Sequence, residues 1–377
     1  MRVALTKGTL RIPPTYFALT HAQLMQSAHH FEMFSLVADV RVETSIPIHD
    51  YVPAVGLGFR RREIVMPAFI PAMVSGLRKF RPDIIHQHFG TWSAPATQAA
   101  RRSQVPLVTT LHGADVFTLS SRPSTAMARW HRFNMAGTSR QSDRLLAVSE
   151  FLAGAAVSAG LPSKKLEVHY QGVDTDYFKP LDERLEETTR EGLPVVLFVG
   201  GLSEGKGIRD LVMASQILSK TARHRLVIAG DGQLKAEVLQ AAWQFPHIEL
   251  VGSLNRHSVR DWMRSARVLV VPSREHRGAR EAAGLVALEA AACGTPVVAY
   301  DSGGLREMMI PDSTGLLVQE GQLDELAQAI RAIIELPEHS YMGMGGTARK
   351  FVEVERSLSK SCRELGEHYA DLTMRAS

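Results

Sequence analysis

The sequence predicts an α/β protein made of two doubly wound parallel sheets in tandem, and three observations predict it. At 377 residues the chain is longer than one typical core can organise. Its strand-like runs are continuously apolar rather than alternating, as in strands covered by helices on both faces. A polar stretch, QGVDTDYFKPLDERLEETTREGLP (171–194), interrupts the series and ends at Gly192 and Pro194 before a fresh apolar run.

In the first half the strand candidates are RVALTK (2–7), VRVETS (40–45), DIIHQHF (83–89), PLVTTLH (106–112), RLLAVS (144–149) and LEVHY (166–170). In the second half they are PVVLFVG (194–200), RLVIAG (225–230), IELVG (248–252), RVLVVPS (267–273), TPVVAY (295–300) and TGLLV (314–318). Helical stretches separate them. The closing segment VERSLSKSCRELGEHYADL has apolar residues at 354, 358, 362, 365, 369 and 372, one stripe at helical spacing. The expected organisation is residues 1–175, residues 176–353, and a final helix, 354–377, that packs back on the first domain.

Composition is ordinary for a globular protein, 45% hydrophobic and 22% charged. The two cysteines, Cys293 and Cys362, are far apart and read as reduced thiols. Zinc-type ligand spacing is missing from the sequence, so no metal is expected. MRVALTKGTL leads straight into a strand pattern, so no signal peptide is expected, and no apolar run is long enough to predict a transmembrane helix. Charge is uneven: +8 over residues 1–175 (19 basic, 11 acidic) and −4 over 176–377 (24 basic, 28 acidic). The basic part includes Arg60, Arg61 and Arg62 among apolar neighbours. Such a face is either plain solubility or a surface for an anionic partner such as a lipid headgroup or lipid diphosphate.

Open α/β sheets bind ligands beyond the carboxyl ends of their strands, so the loops there carry the chemistry. GLSEGKGIRDLV follows PVVLFVG. Glycines 200, 201, 205 and 207 surround Lys206 before a helix, a setting suited to phosphate. It nearly spells a Walker A motif, but Gly207 stands where the magnesium-binding Ser or Thr would be. The Gly-x-Gly of RLVIAGDGQ reads as a tight turn. REAAGLVALEAAACGTPVV (280–298) puts Glu281 in a loop and Glu289, eight positions on, inside a helix. Carboxylates in such apolar company need partners. Hydroxyls of a sugar and a ribose would serve, as would an Arg for Glu289, and a hydrolase acid/base pair is the competing reading. Free amides around Gly284, Leu285 and Val286 suit a diphosphate. His112 ends PLVTTLH before Gly113, Ala114 and Asp115; on its own it reads as structural.

His112-Gly113-Ala114-Asp115, QGVDTDYFKP, VGGLSEGKG, the paired glutamates of EAAGLVALEAAACGTPVVA and SGGLREMM, in this order, resemble glycosyltransferase family 4, retaining enzymes of the GT-B fold. The resemblance covers nearly the whole chain. It implies two Rossmann-like domains facing across a cleft, with the last helix crossing back to the first. It implies that Glu281 contacts donor-sugar hydroxyls, Glu289 holds the nucleotide ribose, Lys206 binds phosphate and His112 approaches the donor sugar, with the base read near Leu254. Catalytic roles thus fall to His112, Lys206 and Glu281. Donor contacts fall to Gly201, Lys206, Leu254, Glu281, Ala283, Gly284, Leu285, Val286 and Glu289. The chain departs from the family where Gly201 replaces a frequent arginine, whose place Arg209, Arg274, Arg277 or Arg280 could take. Gln171 replaces a usual asparagine, and TKGTLRIPPTYF lacks a common Gly-Gly pair. The long PSREHRGARE loop, PPTYF and HFGTW look like bacterial exopolysaccharide-assembly members.

The resemblance implies a hexosyltransferase that uses a UDP- or GDP-linked sugar without metal or cofactor. The expected acceptor is a lipid-linked saccharide, contacted by Thr9, His88, Arg60 and Arg61, with the protein cytoplasmic and peripheral on the inner membrane face, binding no nucleic acid. Rival readings are a soluble acceptor, a sugar-nucleotide epimerase, a P-loop NTPase and a non-catalytic nucleotide-sugar binder. Asp174-Thr175-Asp176 and His86-Gln87-His88 are read as decoys for metal sites.

Overall fold

A computed structural model describes residues 1–13, 15–53, 58–120, 122–181 and 192–376. Two compact units make up the chain: Met1–Gln171 with Ser361–Ser377, and Gly172–Lys360.

The first unit contains strands β1 (Arg2–Ile12), β2 (His30–Val40), β3 (Ile48–Asp50), β4 (Ile84–His88), β5 (Leu107–Leu111), β6 (Arg144–Ala147) and β7 (Leu166–Val168). They pair in parallel in the order β3-β2-β1-β4-β5-β6-β7. Helices α1 (Phe17–Met25), α2 (Phe59–Val65), α3 (Ile70–Phe80), α4 (Ala94–Ser103), α5 (Ala114–Ser120), α6 (Ala126–Gln141) and α7 (Glu150–Ser158) connect them. The second unit contains β8 (Val195–Val199), β9 (Arg225–Ala229), β10 (Ile248–Gly252), β11 (Val268–Val271), β12 (Val297–Tyr300) and β13 (Gly315–Val318), parallel in the order β10-β9-β8-β11-β12-β13. Its helices are α8 (Ile208–Leu218), α9 (Lys235–Gln244), α10 (Arg256–Ser265), α11 (Leu285–Ala292), α12 (Leu323–Ile334) and α13 (Glu338–Glu355). Helix α14 (Leu358–Ala376) begins in this unit, and from Ser361 onward it belongs to the first. Two Rossmann-like sheets are thus present, as the continuous apolar runs predict.

The central strands are dry on both faces: Val196, Leu197, Leu226, Ile228, Val268 and Leu269 are fully buried. In each sheet the strand order reverses beside the first strand, between β1 and β4 and between β8 and β11. Ligands of such sheets gather beyond the carboxyl ends at this point. Helix α14 covers the first unit with Cys362, Leu365, Tyr369 and Leu372, one buried face at helical spacing.

Three local expectations fail. VRVETS (40–45) is an exposed connection, and the strand lies upstream at His30–Val40. Glu32, Ser35 and Asp39 punctuate that strand and hide its apolar run. Glu32 is satisfied by His49 at 2.6 Å and His30 at 3.1 Å, and Ser35 donates to the Gly8 carbonyl at 3.2 Å. The short edge strand β3 was not anticipated. Strand β1 runs past the expected end at Lys7 to Ile12, so Thr9 lies within the strand, paired with Val37.

Candidate functional site

Three loops beyond the carboxyl ends of β8, β11 and β12 build one cluster in the second unit. The turn Glu204–Lys206 ends at Gly207, whose φ of 66° starts α8 in the left-handed region. A Cβ there would lie 1.8 Å from the Pro272 carbonyl oxygen, so Ser or Thr is sterically excluded. This removes the hydroxyl on which the Walker A reading depends. The neighbouring Gly-x-Gly is packing too: a Cβ at Gly230 would lie 1.9 Å from the Gly200 oxygen, and one at Gly232 2.4 Å from that of Leu202.

Lys206 forms an ion pair with Glu281, whose carboxylate also accepts from Ser273 Oγ at 3.2 Å. Burial alone would raise the Glu281 carboxyl. The Lys206 ammonium, the Ser273 hydroxyl and the Gly284 amide outweigh it and hold the group below its ordinary value. Glu281 is therefore an anion at neutral pH, matched to a cation that is 41% exposed. The SGG stretch fixes its backbone: Gly304 N donates to the Glu281 carbonyl at 2.9 Å, and Gly303 (φ 62°) lies so close that a Cβ would be 2.2 Å from that oxygen.

Gly284, with φ 58° and ψ 39°, starts α11 without a side-chain cap. A Cβ on Gly284 would meet Leu305 Cδ2 at 2.5 Å. The helix follows from LVALEAAA, which is rich in strong helix formers. Its first turn carries no acidic residue, so the amides of Leu285 and Val286 and the helix dipole face an anion's position unopposed. Ala283 is half-buried just before it.

The Glu289 carboxylate, one turn further on, accepts no hydrogen bond from the described residues. Burial pushes its carboxyl up to about 7, with Arg256 only partly offsetting this. Arg256 opens α10 and lies over the Tyr177 ring at 4.4 Å, so two aromatic residues of the YFKP stretch position it. Leu254 is half-buried between β10 and α10, in a loop set by the Asn255 cap on Ser258 N at 2.8 Å. Gly201 is exposed, and a Cβ there would meet nothing within 4 Å.

The four replacement arginines differ. Arg209 pairs with Glu204 and Glu237, Arg274 with buried Asp210 at 3.0 Å, and Arg280 with Glu320 at 3.5 Å. Arg277 (φ 55°) makes no ion pair among the described residues. Asp174 of the D-x-D sequence accepts from the amides of Asp176 at 3.1 Å and Tyr177 at 3.0 Å, a turn-forming role.

In the first unit His112 leaves β5 locked in place. Its Nε2 lies 3.1 Å from His88 Nδ1 and its Nδ1 3.4 Å from Gln171 Nε2. The rings of Phe89 and Phe17 pack on it at 4.4 and 4.5 Å. Burial, then Lys7 and His86, push its pKa far down, so the imidazole is neutral. Phe89 has φ 63°, a strained setting for a bulky residue, held by its amide on Thr110 O at 3.0 Å. Asp115 fixes the turn by accepting from the amides of Gly90, His112, Gly113 and Val116.

His88 is buried and stacks on His86 at 4.6 Å, and His86 reaches Tyr369 at 2.6 Å and Thr110 at 2.7 Å. Thr9 Oγ1 lies 3.3 Å from Glu63. Arg61 is exposed on α2, whereas Arg62 is buried on Asp50 and the Val52 and Ala38 carbonyls, a structural tie that the arginine run concealed. The Arg60 side chain lies outside the described residues.

Sequence reasoning missed Ser273, Arg256 and Lys7. Ser273 ends the RVLVVPS run and Arg256 lies within VGSLNRHS, so place in the fold, not residue type, marks them. Lys7 had a signal, a lone charge inside an apolar strand.

Known proteins match along the same division. A family profile described as Glycosyltransferase Family 4 matches residues 15–177, and one described as Glycosyl transferases group 1 matches residues 182–351. A GDP-mannose-dependent alpha-mannosyltransferase of Mycobacterium tuberculosis is 32% identical over 320 residues, covering 81% of this chain and 77% of that protein. The glycogen synthase of the same species is 30% identical over 265 residues, 69% of this chain; the match spans 62% of the synthase, less than two thirds of its length. Among solved structures, Anabaena HepE in complex with UDP-glucose aligns over 99% of this chain and all of its own, with TM-score 0.79 and 17% identity.

Proposed function

The chain belongs to the family 4, group 1 glycosyltransferases, and from that premise we propose that it moves a hexosyl unit from a UDP- or GDP-linked sugar to an acceptor hydroxyl, with retention and without metal. The observation that carries this reading is the cluster of Lys206, Glu281 and the uncapped start of α11, beside a Glu289 carboxylate with no hydrogen-bond partner among the described residues. Glu289 receives the ribose hydroxyls, and Glu281, ionised and aimed by Ser273, receives hydroxyls of the sugar. Lys206 and the amides of Leu285 and Val286 neutralise the charge that gathers on the departing diphosphate.

The bond from the anomeric carbon to the diphosphate oxygen breaks as the acceptor oxygen bonds from the same face. The departing phosphate oxygen takes the acceptor proton, so no protein base is required. His112, held neutral, is a poor acid and serves as a fixed polar wall. The reading extends to a lipid-linked saccharide acceptor at the inner membrane face, supported by the +8 balance of residues 1–175. No helix among the described residues is long and apolar enough to cross a membrane, so such contact would be peripheral.

The test is thermal-shift binding of UDP, GDP, ADP and their sugars without metal, on wild type and Glu289→Ala. A shift with one nucleotide family, weakened in the variant, is expected. No shift with any of them, or one only with ATP or GTP plus magnesium, would overturn the reading.

A further inference from the structure

Lys7 is a cation buried in the middle of β1, 7% exposed. Among the described residues it makes no hydrogen bond and no ion pair. Its ammonium lies 4.9 Å from the centre of the Phe89 ring and 5.6 Å from that of Phe17. His88 and His112 are close enough to feel its charge, and burial before that charge keeps both neutral. Burial alone lowers Lys7 to about 8, and no carboxylate of the described residues acts on it. Two aromatic faces offset only part of the cost of desolvating an ammonium. A buried, unpaired cation is normally eliminated or matched by a counter-charge, so its retention points to a ligand that supplies one.

A second donor stands beside it. With Gln171 Nε2 donating to His112 Nδ1, the His112 proton is on Nε2 and goes to His88 Nδ1. His88 is then protonated on Nε2, which meets no acceptor among the described residues. The strained Phe89 that closes on Lys7 and His112 lies at the carboxyl end of β4, beside the strand reversal where ligands gather.

We propose that Lys7 and His88 Nε2–H form an anion site that takes a phosphate carried by the acceptor. This rests on the reading of the first unit as the acceptor-binding side. The phosphate comes from a soluble sugar phosphate or from a lipid-linked acceptor.

Amine labelling of wild type with acetic anhydride near pH 8, read by mass spectrometry at each lysine, tests the site. UDP is present throughout to fill the donor site. Inorganic phosphate is expected to slow labelling of Lys7 about tenfold while surface lysines keep their rates. Protection by inorganic phosphate supports the site with a soluble acceptor. Protection only by phosphatidic acid vesicles, and not by phosphatidylcholine vesicles, supports it with a lipid-linked one. Protection by neither overturns the proposal, as does a Lys7 that stays unlabelled without any anion, since that ammonium is closed to ligands.

Lys206 is the internal reference. If UDP fails to protect Lys206, the donor reading fails while the Lys7 result stands separately. Lys7→Met should lose the phosphate-dependent rise in melting temperature and melt no lower than wild type without phosphate. A large drop marks Lys7 as merely structural and overturns the proposal; if the variant does not fold, labelling of wild type decides.

Discussion

Replacing Glu289 by Gln should separate stability from ligand binding. Burial carries this carboxyl from an ordinary 4.5 up to about 7. The folded chain therefore holds the proton more tightly than the unfolded chain, and stability falls as pH rises from 4.5 to about 7. The displacement corresponds to about 3 kcal/mol, an upper bound on the gain because Gln also buries a polar group. Near pH 8, Glu289→Gln should melt a few degrees above wild type, and near pH 5 the two should converge.

Donor affinity should move the other way. In the proposed ribose-binding role only the carboxylate would accept both hydroxyls, so below about 7 each pH unit should cost about a factor of ten in affinity. Wild type should bind a nucleotide sugar about tenfold more weakly near pH 6 than near pH 8. Glu289→Gln should bind about 10–100-fold more weakly near pH 8, the loss of a charge-assisted bond, and show no slope. Calorimetry with the nucleotide sugar measures this directly, because a free diphosphate titrates in the same window through its own terminal phosphate. A slope that persists in the Gln variant, or a variant that melts below wild type near pH 8, would refute the reasoning.

Three further outcomes are expected. Gly201→Arg has room for its Cβ, so it should leave the melting temperature within about a degree and tighten donor binding up to about tenfold, read by calorimetry. Lys206→Met should lower kcat on the order of 10²–10³-fold through loss of leaving-group stabilisation, and should raise the Glu281 pKa by removing its cation, seen as a new acid limb in the rate profile. The first unit should be acid-labile, because His21 is lowered to about 3 and His368 to about 4. Unfolded histidines take protons as pH falls below about 6.5 and these do not, so each should remove about 1 kcal/mol between pH 6.5 and 5.5, visible by scanning calorimetry.

The sheets were legible because both are parallel and buried, which turns strands into unbroken apolar runs. β2 was illegible for the same reason reversed: Glu32 and Ser35 find partners on β3 and β1 only once those strands are in place, and Asp39 pairs with Arg41 just past the strand end. The grouping of Glu281, Gly284 and Lys206 was legible because in each of their two loops glycines stand beside a charged side chain. The Arg62 anchor, and the lack of a partner for Lys7 among the described residues, were not, since a sequence shows a charge but not whether its partner arrives. Likewise Gly207 read as a missing hydroxyl, whereas the Pro272 carbonyl gives the physical reason it must be glycine.

The first unit is assembled from the two ends of this sequence, and that sets a timetable for its synthesis. Ser361 is made 190 residues after Gln171 closes the earlier part, about 10–40 s later on a ribosome. Until then Tyr369 cannot meet His86, Ser361 cannot meet His21 and His169, and the surface destined for Leu365 and Leu372 stays wet. The second unit, continuous from Gly172 to Lys360, completes its sheet in that interval. The half that starts first therefore finishes last, and a chaperone acting during translation would find its target there.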